Sequence, residues 1–238
     1  MPPGRSTFEI GFFIPAALIF LSLSWFILSQ FGDDIVKQLG IPNHKDVGRL
    51  SFSLILAVAL VTIAHHAKWT SVKLTDRSIA PQWLRRYWII YPLLTFLLWA
   101  FFQKIDCSVT APPEPWMSSY TEEIKTGGLS MLVVIIGICI LAPIGEELVF
   151  RQMLVDVFPI RKRHLMLVLS WLFSSLLFTI AHMCQYQNPT TLIWIFVVGS
   201  LCFVARVASG GIALPILVHV TSNSLAVVAT YFEIEIPC

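Results

Sequence analysis

The chain has 238 residues, of which 56% are hydrophobic and 13% are charged, and its mean hydropathy is +0.77. Soluble domains usually contain about 25% charged residues, so this composition excludes an ordinary soluble protein and predicts a polytopic membrane protein. The net charge is only +2, and the Lys and Arg residues lie between apolar segments, where they indicate cytoplasmic loops. No nucleic-acid partner is therefore expected.

Apolar segments long enough to cross a bilayer recur along the chain. We predict an all-α helical bundle of about seven transmembrane helices, with spans at residues 10–28, 50–67, 87–102, 129–158, 165–184, 192–207 and 212–231. No small-residue cleavage site follows the first segment, which is therefore expected to remain as an uncleaved helix. The Pro-rich segment 103–128 predicts an extramembrane loop that separates an N-terminal part, 1–128, from a C-terminal part, 129–238.

The basic residues predict the orientation. Of the 16 Lys and Arg residues, Arg151 lies within a predicted helix, and the predicted topology places 10 on the N-terminal side and 5 on the other side. The positive-inside rule then puts the N-terminus in the cytoplasm and the C-terminus outside.

The cysteines form no C-x-x-C pair, so neither a disulfide framework nor a zinc cluster is predicted. Cys107 and Cys238 are the two that could meet outside the membrane. Cys139, Cys184 and Cys202 lie in apolar runs, where a cysteine usually behaves as a small buried hydrophobe.

Two adjacent carboxylates and an arginine interrupt the fourth apolar segment, at Glu146, Glu147 and Arg151. A charge near the bilayer centre costs about 2.5–3.5 kcal/mol, so the stretch is a candidate functional site. Glu147 and Arg151 are four residues apart and predict a helical ion pair of mainly structural importance. Glu146 points about 100° away and lacks such a partner, which makes it the candidate general base. Pro143 predicts a kink that frees carbonyl groups beside the site.

Polar side chains in the later apolar segments are expected to meet these charges in the bundle interior. Phe178 and His182 are four residues apart, as are His219 and Asn223, so each pair shares one helix face. Counting helix rises from the cytoplasmic ends gives depths of roughly 10 Å for His219, 16–20 Å for Glu146 and 25 Å for His182, which makes His182 the hardest to bring to the site. We predict that Glu146, with His182 or His219, activates a water molecule for attack on a peptide carbonyl. His219 and Asn223 would then stabilise the oxyanion, and no nucleophilic serine is required.

Three ordered motifs now stand on successive apolar segments: Glu-Glu-x-x-x-Arg at 146–151, Phe-x-x-x-His at 178–182 and His-x-x-x-Asn at 219–223. Together they resemble the CPBP (Abi) family of glutamic-type intramembrane proteases, which includes the CAAX prenyl endopeptidases and bacterial bacteriocin-processing and self-immunity proteins. The resemblance covers residues 129–231. It implies an integral multi-pass protein of a bacterial inner membrane and a membrane-embedded or membrane-associated peptide substrate, hydrolysed from a cavity in the C-terminal half.

The resemblance also implies roles for single residues. Glu146 with His182 would activate the water, and His219 with Asn223 would form the oxyanion site. The supporting residues would be Glu147, Arg151 and Phe178. Many family members have Gly directly after the motif Arg, where this chain has Gln152.

Two alternatives stay open. The first concerns metal. No cofactor is expected to be required, but Glu146, His182 and His219 are side chains that can bind zinc. The chain lacks the His-Glu-x-x-His motif of zinc proteases, so a metal-free site is favoured. The second alternative is a non-enzymatic membrane protein that uses the same buried charges. It would be a catalytically silent immunity or scaffold protein or a small proton-coupled transporter, although no inverted repeat is visible.

Overall fold

The computed structural model describes residues 81–109, 114, 120–122, 124–125, 127–158, 164–183 and 185–232, together with positions 55, 58 and 59. Within these residues the chain is helical and contains no strand, which confirms the predicted all-α class. In chain order the helices are α1 (Pro81–Val109), α2 (Gly128–Ile136), the π-helix π1 (Gly137–Leu141), α3 (Ala142–Glu147), the π-helix π2 (Leu148–Met153), α4 (Leu154–Val157), α5 (His164–His182), α6 (Pro189–Ser209) and α7 (Ala213–Phe232).

Four helices in the described part are long and apolar enough to cross a membrane: α1 over Trp88–Ser108, α5, α6 and α7. The predicted total of about seven is not confirmed. The predicted span at 10–28 lies outside the described residues, and only three positions of the span at 50–67 are described. The predicted span at 129–158 is a succession of shorter segments.

The predicted boundary between the third span and the following loop is wrong. The sequence predicts a loop from residue 103, whereas α1 continues to Val109. The added turns contain Gln103, Lys104 and Asp106, and polar residues of this kind can continue a helix beyond the hydrocarbon layer because each amide still bonds within the helix.

Helix α6 packs against α5, α7 and α1, and α1 also packs against α7. The contact faces combine large apolar side chains, such as Phe178, with small polar ones, such as the buried Ser174 and Ser175 of α5. Other large apolar side chains point outward, including Ile89 at 69% and Leu165 at 61% exposure. A bundle with small residues among its helix contacts and bulky apolar residues on its surface is suited to a lipid surround.

The segment 128–157 is helical throughout but changes hydrogen-bond pattern twice. In π1 the amide of Ala142 donates to Gly137 O, and at the end of π2 the amide of Leu154 donates to Val149 O. Both bonds span five residues instead of four. Pro143 follows π1 directly and has no N–H to give, so the chain widens at the place where the sequence predicts a kink.

Widening the helix changes which donors reach two carbonyl groups of this segment. Ile138 O loses the amide of Ala142, which has turned to Gly137 O, and Pro143 cannot replace it. Phe150 O no longer receives the amide of Leu154, which donates to Val149 O, and it accepts from the hydroxyl of Ser174 on α5 at 2.9 Å. The irregular segments are therefore held by side chains of neighbouring helices.

Candidate active site

A cavity of about 590 Å³ lies at one end of the bundle. Four of the motif residues line it: Phe178, His182, His219 and Asn223. The rest of the lining comes from the last turns of α1, the start of α6, the end of α7 and the segments that join these helices, and includes Trp99, Gln103, Asp106, Glu114, Glu122, Tyr186, Asn188, Trp194 and Thr230. Aromatic walls with a few convergent polar groups are typical of a binding site for a peptide or other small ligand.

The carboxylate of Glu146 adjoins two imidazole rings. Its Oε2 lies 3.6 Å from His182 Nε2 and 3.8 Å from His219 Nε2. The side chains of Glu146 and His182 are 16% and 15% exposed, whereas that of Glu147 is fully buried. Of the two glutamates, Glu146 is therefore the less buried, and it lies directly behind the two histidines that line the cavity.

His182 reaches this position although the depth count places it about 15 Å from His219. It is the last residue of α5, and the structure brings both rings to the same carboxylate. The count assumes that all helices start level and tilt equally, and those assumptions do not hold. His182 Nδ1 lies 2.7 Å from Phe178 O, so this nitrogen donates its hydrogen to the carbonyl. In the neutral ring Nε2 then carries a lone pair that faces Glu146.

The second glutamate belongs to a buried charge cluster. Glu147 Oε2 lies 3.3 Å from Arg151 Nε, and Glu147 Oε1 lies 2.9 Å from His219 Nδ1. Glu147 and Arg151 are both 0% exposed. Glu147 therefore holds two partners, the arginine that the spacing predicts and a histidine that it does not.

Arg151 is fixed by groups from two other helices. Its Nη2 donates to Gly199 O at 2.9 Å, and its guanidinium carbon lies 4.3 Å from the centroid of the Phe178 ring. A Cβ atom at position 199 would come within 3.1 Å of Arg151 Nη2, which explains the glycine. The same Phe178 ring stands 4.6 Å from His182 and 5.5 Å from His219, measured between ring centroids. Phe178 is thus the apolar surface against which the arginine and both imidazoles are positioned.

Asn223 lines the cavity one helical turn after His219. Its Nδ2 donates to Ile138 O at 2.9 Å, the carbonyl that π1 and Pro143 leave without a helical donor. This bond uses one of the two hydrogens on Nδ2 and fixes the orientation of the amide.

Glu114 and Tyr186 also line the cavity, but neither belongs to one of the three sequence motifs. Glu114 accepts hydrogen bonds from the amides of Gln187 and Asn188, at 2.8 and 3.0 Å, and so ties the Pro-rich segment to the start of α6. Burial raises the pKa of the Tyr186 phenol, and the carboxylates of Glu146 and Glu114 raise it further, so Tyr186 remains a neutral donor. For Glu114 the one indication in the sequence is that an acidic residue lies inside Pro-Pro-Glu-Pro.

Gln152, where the family pattern often has Gly, is fully buried. Its amide donates to Asp156 Oδ2, and Asp156 Oδ1 pairs with Arg206 Nη2 at 2.9 Å. Arg206 Nε also donates to Arg151 O at 3.2 Å. The glutamine is therefore part of a polar network between the π2 segment and α6, at the opposite end from the cavity mouth.

The cysteines differ from the sequence prediction in one respect. Cys139 and Cys202 are free and buried, as expected of small apolar residues. Cys107, in the last turns of α1, is disulfide-bonded, whereas the sequence predicts no disulfide framework and gives Cys107 only as a residue that could pair outside the membrane. The absence of C-x-x-C spacing carries no information about a pair of cysteines distant in sequence.

Within the described ranges, no group of three or more His, Cys, Asp or Glu side chains has the arrangement of a metal site. Glu146, His182 and His219 are the residues that would supply nitrogen and oxygen donors to a zinc ion. Both histidines already use their other ring nitrogen. His182 Nδ1 bonds to Phe178 O, and His219 Nδ1 bonds to Glu147.

The fold and the site together define a helical membrane protein in which two imidazoles line a cavity and a carboxylate adjoins both. Residues 128–225 match the family model described as "Type II CAAX prenyl endopeptidase Rce1-like". They form an Rce1-like domain, which confirms the family that the three motifs indicate. The family is one of proteases, and the four apolar helices agree with a membrane protease.

One curated relative is the "Uncharacterized 24.3 kDa protein" of Escherichia coli, to which the chain is 34% identical over 150 residues. The aligned region covers 63% of this chain and 64% of the relative, so the chain spans slightly less than two thirds of the relative's length. No solved structure matches the chain.

Proposed function

We propose that the protein is an intramembrane endopeptidase that hydrolyses a peptide bond of a membrane-associated protein or peptide by means of an activated water. The observation that carries this proposal is the position of Glu146 Oε2, 3.6 Å from His182 Nε2 and 3.8 Å from His219 Nε2 below a cavity of about 590 Å³. A carboxylate and an imidazole lone pair that face each other at this distance can both accept from one water molecule.

In the first step the water donates one hydrogen bond to Glu146 and one to His182 Nε2. Glu146 takes a proton as the water oxygen forms a bond to the carbonyl carbon, and the C=O electron pair moves to the oxygen. In the second step the C–N bond breaks and the leaving amine receives the proton from Glu146. His182 keeps the correct orientation throughout because Nδ1 donates to Phe178 O.

The developing oxyanion needs hydrogen-bond donors. Asn223 offers the second hydrogen of Nδ2, since the first is used on Ile138 O. His219 offers Nε2 in its imidazolium form, and Glu147, 2.9 Å from Nδ1, stabilises that charge. The buried ion pair with Arg151 therefore serves catalysis indirectly, by positioning His219.

No step of this mechanism requires a metal. If a zinc ion is bound by Glu146, His182 and His219, it would lower the pKa of the attacking water. Activity that survives dialysis against a chelator in protein free of metal by elemental analysis would support the metal-free mechanism, and activity that depends on restored zinc would overturn it.

The substrate and the location belong to the same proposal. A prenylated C-terminal peptide is what the family description suggests, and leader peptides or membrane-anchored regulators have the same cleavable bond. A bacterial inner membrane, with the N-terminus in the cytoplasm, is supported by the positive-inside bias and by the relative from Escherichia coli. The catalytic part would comprise residues 129–238.

Terminal proteomics tests this function even though the substrate is unidentified. Membranes and medium from cells that produce the native protein are compared with those from cells that produce Glu146→Gln at equal abundance. New peptide ends that appear only with the native protein would support the proposal. Identical sets of ends would favour a silent, scaffold or transport role.

A further inference from the structure

The cavity mouth and the basic residues of the chain lie at opposite ends of the bundle. Most of the residues that line the cavity lie where α1 ends, where α5 ends and α6 begins, and where α7 ends, so the cavity opens at this end. The other end holds the start of α1, the end of α4, the start of α5 and the connection between α6 and α7. Each described spanning helix therefore runs between a cavity end and a basic end.

The two ends differ strongly in charge. Around the connections at the basic end the sequence has six Lys and Arg residues, Arg85, Arg86, Arg161, Lys162, Arg163 and Arg206. Around the connections at the cavity end, over 103–128, 183–191 and 231–238, it has two, Lys104 and Lys125. By the positive-inside rule the basic end is cytoplasmic and the cavity end faces the other compartment.

The disulfide gives an independent indication of the same orientation. Cys107 is disulfide-bonded and directly follows Asp106, which lines the cavity. Disulfides persist in oxidising compartments such as the bacterial periplasm and are rare where thiols are kept reduced. Cys139 and Cys202, inside the helices, are free.

We infer that the active-site cavity opens to the extracytoplasmic face of the membrane. Given the proposed function, its substrate is a peptide segment at or just outside the outer leaflet, such as the juxtamembrane part of an exported or membrane-anchored protein. A segment confined to the cytoplasm does not reach Glu146 from this side.

Thiol labelling tests the access side without using activity. Glu122→Cys places an exposed thiol at the cavity rim, and His164→Cys places an exposed thiol at the first residue of α5. Each full-length variant is produced in bacterial cells, converted to spheroplasts and treated with a membrane-impermeant maleimide before and after permeabilisation. The unsubstituted chain gives the background from its native cysteines.

The orientation predicts that Glu122→Cys is labelled in intact spheroplasts and that His164→Cys is labelled only after permeabilisation. The reverse pattern would overturn the inference and leave the proposed hydrolysis untouched. If Glu122→Cys does not accumulate, Thr230→Cys at the same end of α7 replaces it, with the same expected result.

Discussion

At the scale of single residues, the two neighbouring glutamates differ in what surrounds each carboxylate. Glu147 is fully buried between a guanidinium and an imidazole, at 3.3 and 2.9 Å. Glu146 is partly exposed and adjoins two imidazoles that line the cavity, at 3.6 and 3.8 Å. A carboxylate paired with a guanidinium, a permanent cation, is a poor base, whereas one without such a partner can exchange a proton with a bound water.

The cluster of Glu147, Arg151 and His219 yields a prediction that separates stability from activity. Glu147→Leu should lower stability by about 3–5 kcal/mol, because it leaves the buried guanidinium without a counter-charge. Adding Arg151→Met removes that charge and should restore most of the thermal stability. Cleavage should stay low in both variants, because His219 Nδ1 has lost the acceptor that orients it.

Thermal unfolding in detergent and the initial rate of peptide cleavage measure the two effects side by side. Recovery of both stability and activity in the double variant would mean that Glu147 is needed only for folding.

At the scale of secondary structure, the site depends on a helix that is not regular. Pro143 and π1 leave Ile138 O without a helical donor, and Asn223 supplies one at 2.9 Å. The irregular segment thus orients a side chain of α7. Short π segments inside α-helices often occur at functional sites, which fits this arrangement.

Pro143→Ala should lower the cleavage rate by about tenfold without lowering stability. The new amide can donate to the carbonyls of π1 and compete with Asn223, and the loss of one hydrogen bond to a reacting group corresponds to about 1.4 kcal/mol. Removing an interior proline favours the helix by up to about 3 kcal/mol, so the melting temperature should hold or rise.

Pro92→Ala in α1 is the matched control, since it also removes a helix-interior proline but does not line the cavity. It should leave the cleavage rate unchanged. Full activity in Pro143→Ala would refute the proposed link between Pro143 and Asn223.

Much of the helical architecture is predictable from sequence. The ends of α5, α6 and α7 lie within three residues of the apolar segments, and the spacing of Glu147 and Arg151 predicts their ion pair. Sequence periodicity could not predict the π segments, because they depend on donors such as Ser174 and Asn223 from other helices. Nor could it set the level of His182 or place Glu114 beside α6, because periodicity within one helix says nothing about its offset from its neighbours.

At the scale of the whole molecule, the described residues that line the cavity include three carboxylates, Asp106, Glu114 and Glu122, and no Lys or Arg. Carboxylates on low-dielectric walls produce a negative potential at the entrance. A basic or neutral peptide should therefore enter more readily than an acidic one.

This asymmetry predicts a charge preference. A membrane-bound test peptide with Lys near the cleaved bond should give a higher kcat/KM than the same peptide with Glu, and the ratio should fall as salt is raised from about 0.01 to about 1 M. The double variant Asp106→Asn, Glu122→Gln should reduce the ratio of the two kcat/KM values, mainly by changing KM. An equal rate for both peptides at low salt would contradict the prediction.

The central claim, that Glu146 activates a water for peptide hydrolysis, is tested most directly with purified protein in liposomes and a membrane-associated peptide identified from the proteomic comparison. The native protein and Glu9→Gln, the same substitution outside the matched residues 128–225, should cleave the peptide at equal rates. Glu146→Gln should lose cleavage by at least about 10²-fold, the lower range for a general base, while unfolding at a similar temperature. Cleavage by Glu146→Gln at the native rate would contradict the mechanism.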